Sequence, residues 1–167
     1  MKNLAQHRGV FAAGLLTMSY ALAASGAVAA GATSVWTCIT GGDEKKDPVG
    51  DRDGHFVELT STSCRIEGGP LDGGVSTGSF IDEWNGVSSK RIAATIVVRK
   101  PGAIAIFSGG DAVIALTMSE GKITGWSASG KDPLVFASGD WASLTGKSES
   151  WTAKPTSAGF VVEEKID

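Results

Sequence analysis

Ser89–Gly130 reads SKRIAATIVVRKPGAIAIFSGGDAVIALTMSEGKITGWSASG. Its apolar residues fall into four short runs: Lys90–Arg99, Ala103–Phe107, Ala112–Met118 and Lys122–Ser129. Between them stand Pro101-Gly102, Gly109-Gly110 and Glu120-Gly121, dipeptides whose backbone preferences favour tight turns. The spacing predicts consecutive antiparallel strands joined by those turns. In Lys90–Arg99 the residues Ile92, Ala94, Ile96 and Val98 share one face, and Ala93, Thr95 and Val97 share the other. Both faces are largely apolar, so a central strand covered on both sides is expected.

The same grammar extends outward. Upstream, Ser34–Ile39, His55–Ile66 and Val75–Trp84 read as strands, the last ended by Asn85-Gly86, a hairpin dipeptide. Gly41–Gly54 (GGDEKKDPVGDRDG) is rich in Gly, Pro and Asp and reads as a long acidic loop. Downstream, the pattern weakens after Lys131-Asp132-Pro133, and Leu134–Ala137 reads as a strand or one helical turn. Ala142–Thr145, Ser148–Ala153 and Phe160–Ile166 read as further strands, with Phe160, Val162 and Ile166 on one face. About eight to ten short strands joined by short turns predict an all-β domain. A single antiparallel meander barrel is the first expectation and a sandwich the second, because closure removes the edges of so apolar a sheet.

Lys2 and Arg8 precede an apolar run, Val10–Ala24, and small residues with Ala-x-Ala spacing follow. This is the pattern of a secretory leader, expected over 1–29, with Ala32 the next cleavage choice. The run is shorter than the roughly 20 residues a spanning helix needs. The remaining 30–167 form one expected barrel domain in a periplasmic or secreted protein. The chain has 15 basic and 18 acidic residues; Lys2 and Arg8 are the bases inside the leader, so the processed chain carries −5. No basic stripe is present, which argues against nucleic-acid and anionic-membrane partners. Cys38 and Cys64 are the only cysteines, and an even count in an exported chain predicts one disulfide.

The glycine-punctuated segment Gly130–Gly146 (GKDPLVFASGDWASLTG) resembles the end of small exported bacterial barrels of the allene oxide cyclase and dirigent type. That resemblance implies an apolar ligand in a central cavity. The catalytic residues of those barrels match no positions here, and none is carried over.

Few residues are candidates for chemistry. Asp51-Arg52-Asp53-Gly54 matches the start of a calcium loop, but Thr62 stands where the bidentate glutamate belongs, so no metal site and no cofactor is expected. His55 is the only histidine beyond the leader, and the neighbouring Asp53 would tune its pKa. In Asp82-Glu83-Trp84, alternation sends Glu83 opposite to Asp82 and Trp84, so only one carboxylate can point inward. Of five tryptophans, core packing is expected for three or more, with Trp84 and Trp126 lining a cavity. The candidate ligand-binding residues are therefore Trp84, Trp126, Glu83 and His55, with no catalytic set. The leading expectation is a non-enzymatic barrel binding a small apolar ligand or an envelope partner. A cofactor-free cyclase or isomerase and an envelope inhibitor contacting its partner through the acidic loop are the alternatives.

Overall fold

In the computed structural model, which describes residues 31–167, all strand pairings are antiparallel, chain neighbours pair throughout except at one junction, and the last strand pairs with the first. The strands are β1 (Thr33–Pro48), β2 (His55–Glu67), β3 (Val75–Asn85), β4 (Ser88–Lys100), β5 (Ala103–Ser108) and β6 (Asp111–Ser119). They continue with β7 (Lys122–Ser138), β8 (Ser148–Thr156) and β9 (Gly159–Ile166). A short 3₁₀ turn, Gly139–Leu144, interrupts the series. The result is a closed eight-stranded antiparallel barrel. The expected leader lies outside the described residues.

The decisive stretch departs from expectation at one point. Pro101-Gly102 and Glu120-Gly121 are two-residue hairpin turns, as Lys100 pairs Ala103 and Ser119 pairs Lys122. Gly109-Gly110, expected to be another such turn, is not. Strand β5 pairs β4 from Thr95↔Ser108 to Lys100↔Ala103, and β6 pairs the same strand from Ser88↔Ala115 to Lys90↔Val113. The register is continuous, so β5 and β6 run in one direction and share one slot between β4 and β7. The two glycines are wedged against the neighbouring backbones. A Cβ on Gly109 would meet the Ala94 nitrogen at 2.4 Å, and one on Gly110 would meet the Lys131 carbonyl oxygen at 1.8 Å. Here glycine serves close approach rather than reversal.

Three further expectations are corrected. The acidic loop shrinks to 49–54, because β1 runs to Pro48 across a register shift between Gly41 and Lys45. A bulge absorbs the extra residues while the ladder continues, with Lys46 opposite Glu58. The strand expected to end at Ser129 runs on through Lys131-Asp132-Pro133, since β7 is continuous from Lys122 to Ser138. Its register against β5 shifts between Ile106 and Phe107, beside the proline that cannot donate. Ala142–Thr145 is not a strand: Trp141 and Leu144 are buried from the 3₁₀ turn instead. The hairpin after Asn85 does form, with Asn85 paired to Ser88 and Gly86-Val87 at its tip.

Alternation sends the even-numbered residues of β1, β2 and β3 inward, including Cys38 and Cys64. These two face each other across the β1–β2 ladder and form the disulfide, a bond consistent with an oxidising compartment. One barrel end is filled: Ile66, Leu71, Val98, Phe107, Leu134 and Trp141 are almost completely buried there. The outer face of β4 is not covered as expected. Ile92 is 57% exposed, and Val113, Ile123 and Phe136 on other strands are comparably wet. A single closed sheet has no second layer, so β-branched residues outside serve the backbone rather than a core.

Candidate functional site

The other barrel end holds a cavity of about 530 Å³. It opens where the turns 49–54, 86–87, 120–121 and 157–158 form the rim, and it reaches down to Trp36, Cys64, Glu149 and Glu164. Its walls include Trp84, Trp126, Phe160, Phe56, Phe80 and Leu116. The Phe56 ring stacks on Trp84 at 5.8 Å, and Trp126 meets Phe160 edge-on at the same separation. Trp36 and Trp151 also border the space, so four of the five tryptophans surround it and Trp141 plugs the far end. More indoles line this cavity than the two singled out from sequence.

Five carboxyl groups are buried in the barrel: Glu58, Asp82, Asp132, Glu149 and Glu164. Three of them accept an indole N–H by one repeated geometry. Trp36 donates to Glu164 at 2.6 Å, Trp84 to Glu58 at 2.7 Å and Trp151 to Asp132 at 2.7 Å. In each case the tryptophan lies directly opposite one residue, and the acid stands two positions further along that neighbouring strand. Trp36 faces Val162, Trp84 faces Phe56 and Trp151 faces Gly130. Diagonal neighbours are within reach of such long side chains. Asp132 also accepts the Gly110 N–H at 2.9 Å, which holds the β5–β6 break in place.

Cations answer only part of this acid. Arg91 donates to Asp82 at 3.1 Å, with both side chains buried. Its guanidinium lies 4.4 Å from the centre of the Phe80 ring and 5.6 Å from that of Trp151. Burial nevertheless holds the Asp82 pKa above its ordinary value, with Arg91 opposing the shift. Lys46 reaches Glu58 from the rim at 3.0 Å, and hydrogen bonding to Glu58 raises its pKa. Glu149 has no such partner. Burial, then Glu164 and Asp132 beside it, push its carboxyl well above the normal range. Burial also raises Glu164, against the effect of Glu149 and the Trp36 indole.

The residues singled out from sequence divide between two places. Trp84 and Trp126 line the cavity. Glu83 and His55 lie together on the outside of the rim, because both occupy odd positions on strands whose even positions face in. His55 Nε2 contacts Glu83 at 2.8 Å and its Nδ1 contacts Asp51, not the Asp53 expected from sequence. Those contacts, Asp51 first, raise the His55 pKa, while hydrogen bonding to His55 lowers that of Asp51. Arg52 pairs with Asp51 and bonds Asn85 at 3.3 Å, so this cluster ties the 49–54 turn to the β3 end. It is a clamp on the rim rather than part of the cavity.

Glu58, Asp132, Glu149, Glu164 and Arg91 are the interior groups that sequence reading passed over. Alternation carried a signal for at least two of them: Glu58 shares its face with Phe56 and Cys64, and Glu164 with Phe160, Val162 and Ile166. Asp132 carried none, because Lys131-Asp132-Pro133 has the composition of a turn. Among the described residues no group of three or more His, Cys, Asp or Glu converges to hold a metal, and no helix is long and apolar enough to cross a membrane. No protein family, curated protein or solved structure matches the chain.

Proposed function

We propose that this is an exported carrier or sensor barrel that takes a small, largely apolar ligand through its open end. The observation that carries the reading is the contrast inside one barrel. One end is filled by side chains, while the other keeps a cavity of about 530 Å³ walled by aromatic rings. Ligand sites commonly fall in this size range, are mostly apolar and hold few polar groups. The leader-like start and the Cys38–Cys64 disulfide support export.

Tryptophan emission provides the test, because four indoles border the space. Titration with the neutral dye N-phenylnaphthylamine is expected to quench that emission, enhance the dye and raise the melting temperature. No change in any of the three would remove the carrier reading.

A second reading has one specific observation behind it. Glu149, on the wall of an aromatic cavity and with its carboxyl pKa held well above the normal range by burial, is a suitable general acid for a cofactor-free isomerase or cyclase. Incubation with isomerisable enones separates the readings: turnover abolished by Glu149→Gln supports an enzyme, and binding without turnover supports a carrier.

A further inference from the structure

The acid at the cavity floor exceeds what the protein itself answers. Asp82 has Arg91, Glu58 has Lys46 and the Trp84 indole, and Asp132 has the Trp151 indole and the Gly110 N–H. Glu149 and Glu164 have no cation. Glu149 Oε2 and Glu164 Oε1 are buried without a hydrogen-bond partner, on side chains 3% and 1% exposed. Both residues border the cavity. Buried acceptors are ordinarily satisfied, so two orphan oxygens on residues that line one cavity point to a donor that arrives from outside.

Resting on the ligand-binding reading above, we propose that the ligand is an organic monocation: an ammonium group on an apolar, preferably aromatic, body. The ammonium docks on Glu149 Oε2 and Glu164 Oε1, and the body lies among Trp126, Trp151 and Phe160. Three features favour this class over others. An ammonium supplies only donors and a positive charge, which is what two carboxyl oxygens lack. Aromatic faces attract cations, and the barrel interior already shows that contact, since the Arg91 guanidinium lies over Phe80 and Trp151. An anionic ligand would meet four buried carboxyl groups on the cavity wall, Glu58, Asp82, Glu149 and Glu164, against Arg91 and the rim Lys46, both already paired with an acid. A neutral ligand could donate a hydrogen bond but would bring no charge to the acid at the floor.

Three probes of matched shape test this on the disulfide-bonded protein at neutral pH: naphthylethylamine, naphthylethanol and naphthylpropionate. Each is measured by displacement of N-phenylnaphthylamine. The amine is expected to bind about tenfold or more tighter than the alcohol, as charge-assisted hydrogen bonds exceed neutral ones, with the acid weakest. In Glu149→Gln/Glu164→Gln that preference is expected to vanish while alcohol affinity is kept. Amine and alcohol within about threefold of each other on the unmodified protein would overturn the proposal and leave the cavity reading standing. Binding of none of the three, with no dye uptake, would overturn both. If the double variant does not fold, as judged by circular dichroism, Glu149→Gln and the comparison of the three probes on the unmodified protein decide.

Discussion

The two ends of the barrel are built from the same strands and differ in what those strands point inward. At the filled end Ile66, Val98, Phe107, Leu134 and Ile166 interlock under the Trp141 plug. At the open end the inward positions alternate between aromatic rings and charged groups, and space remains. A carboxyl group in a barrel interior destabilises the fold unless it is paired. The composition of the open end supports the ligand proposal, and the filled end holds the larger buried core.

That division can be broken most forcefully from the filled end. Phe107→Ala removes a completely buried ring that meets Trp36 edge-on, and should cost about 3–5 kcal/mol in denaturant unfolding. A loss under about 1 kcal/mol would show that this end does not hold the fold. Removing the disulfide by Cys38→Ala/Cys64→Ala, at the junction of the two ends, should cost roughly 2–4 kcal/mol by the same measurement.

The open end should respond in the opposite sense. Trp126→Ala loses mainly the Phe160 edge contact and should cost about 0.5–1.5 kcal/mol, while dye affinity falls at least about tenfold. Glu149→Gln should stabilise the protein slightly, by about 1 kcal/mol or less at neutral pH. The sign follows from linkage. Glu149 has a raised pKa in the folded state, so its contribution is present below the ordinary carboxyl pKa and lost as pH rises through the raised one. Thermal melts across pH should therefore show a shallower alkaline decline in the variant.

The smallest effect is expected outside both ends, at the rim clamp. His55 also has a raised pKa, so its contacts with Asp51 and Glu83 contribute below the ordinary histidine pKa and fade as pH rises through the raised value. Hydrogen exchange of the 49–54 turn should quicken over that interval, and His55→Gln should remove the dependence without altering dye affinity.

Local sequence determined the strands and several of their joints. Alternation marks β2 and β9, Pro101-Gly102 and Glu120-Gly121 reverse the chain, and an even cysteine count announced the bridge. These features depend on dihedral preferences and on neighbours a few residues apart. Tertiary structure alone decided the rest. Gly109-Gly110 has the composition of a turn, yet it continues a strand because β4 and β7 pass within contact on either side. Asp132 looks like part of a turn and becomes a buried acceptor. Glu149 and Glu164, fifteen positions apart in the chain, become one carboxyl pair only when β8 and β9 take their register. Which barrel end is filled and which stays open follows from residues far apart in sequence meeting across the barrel, a geometry that no local pattern encodes.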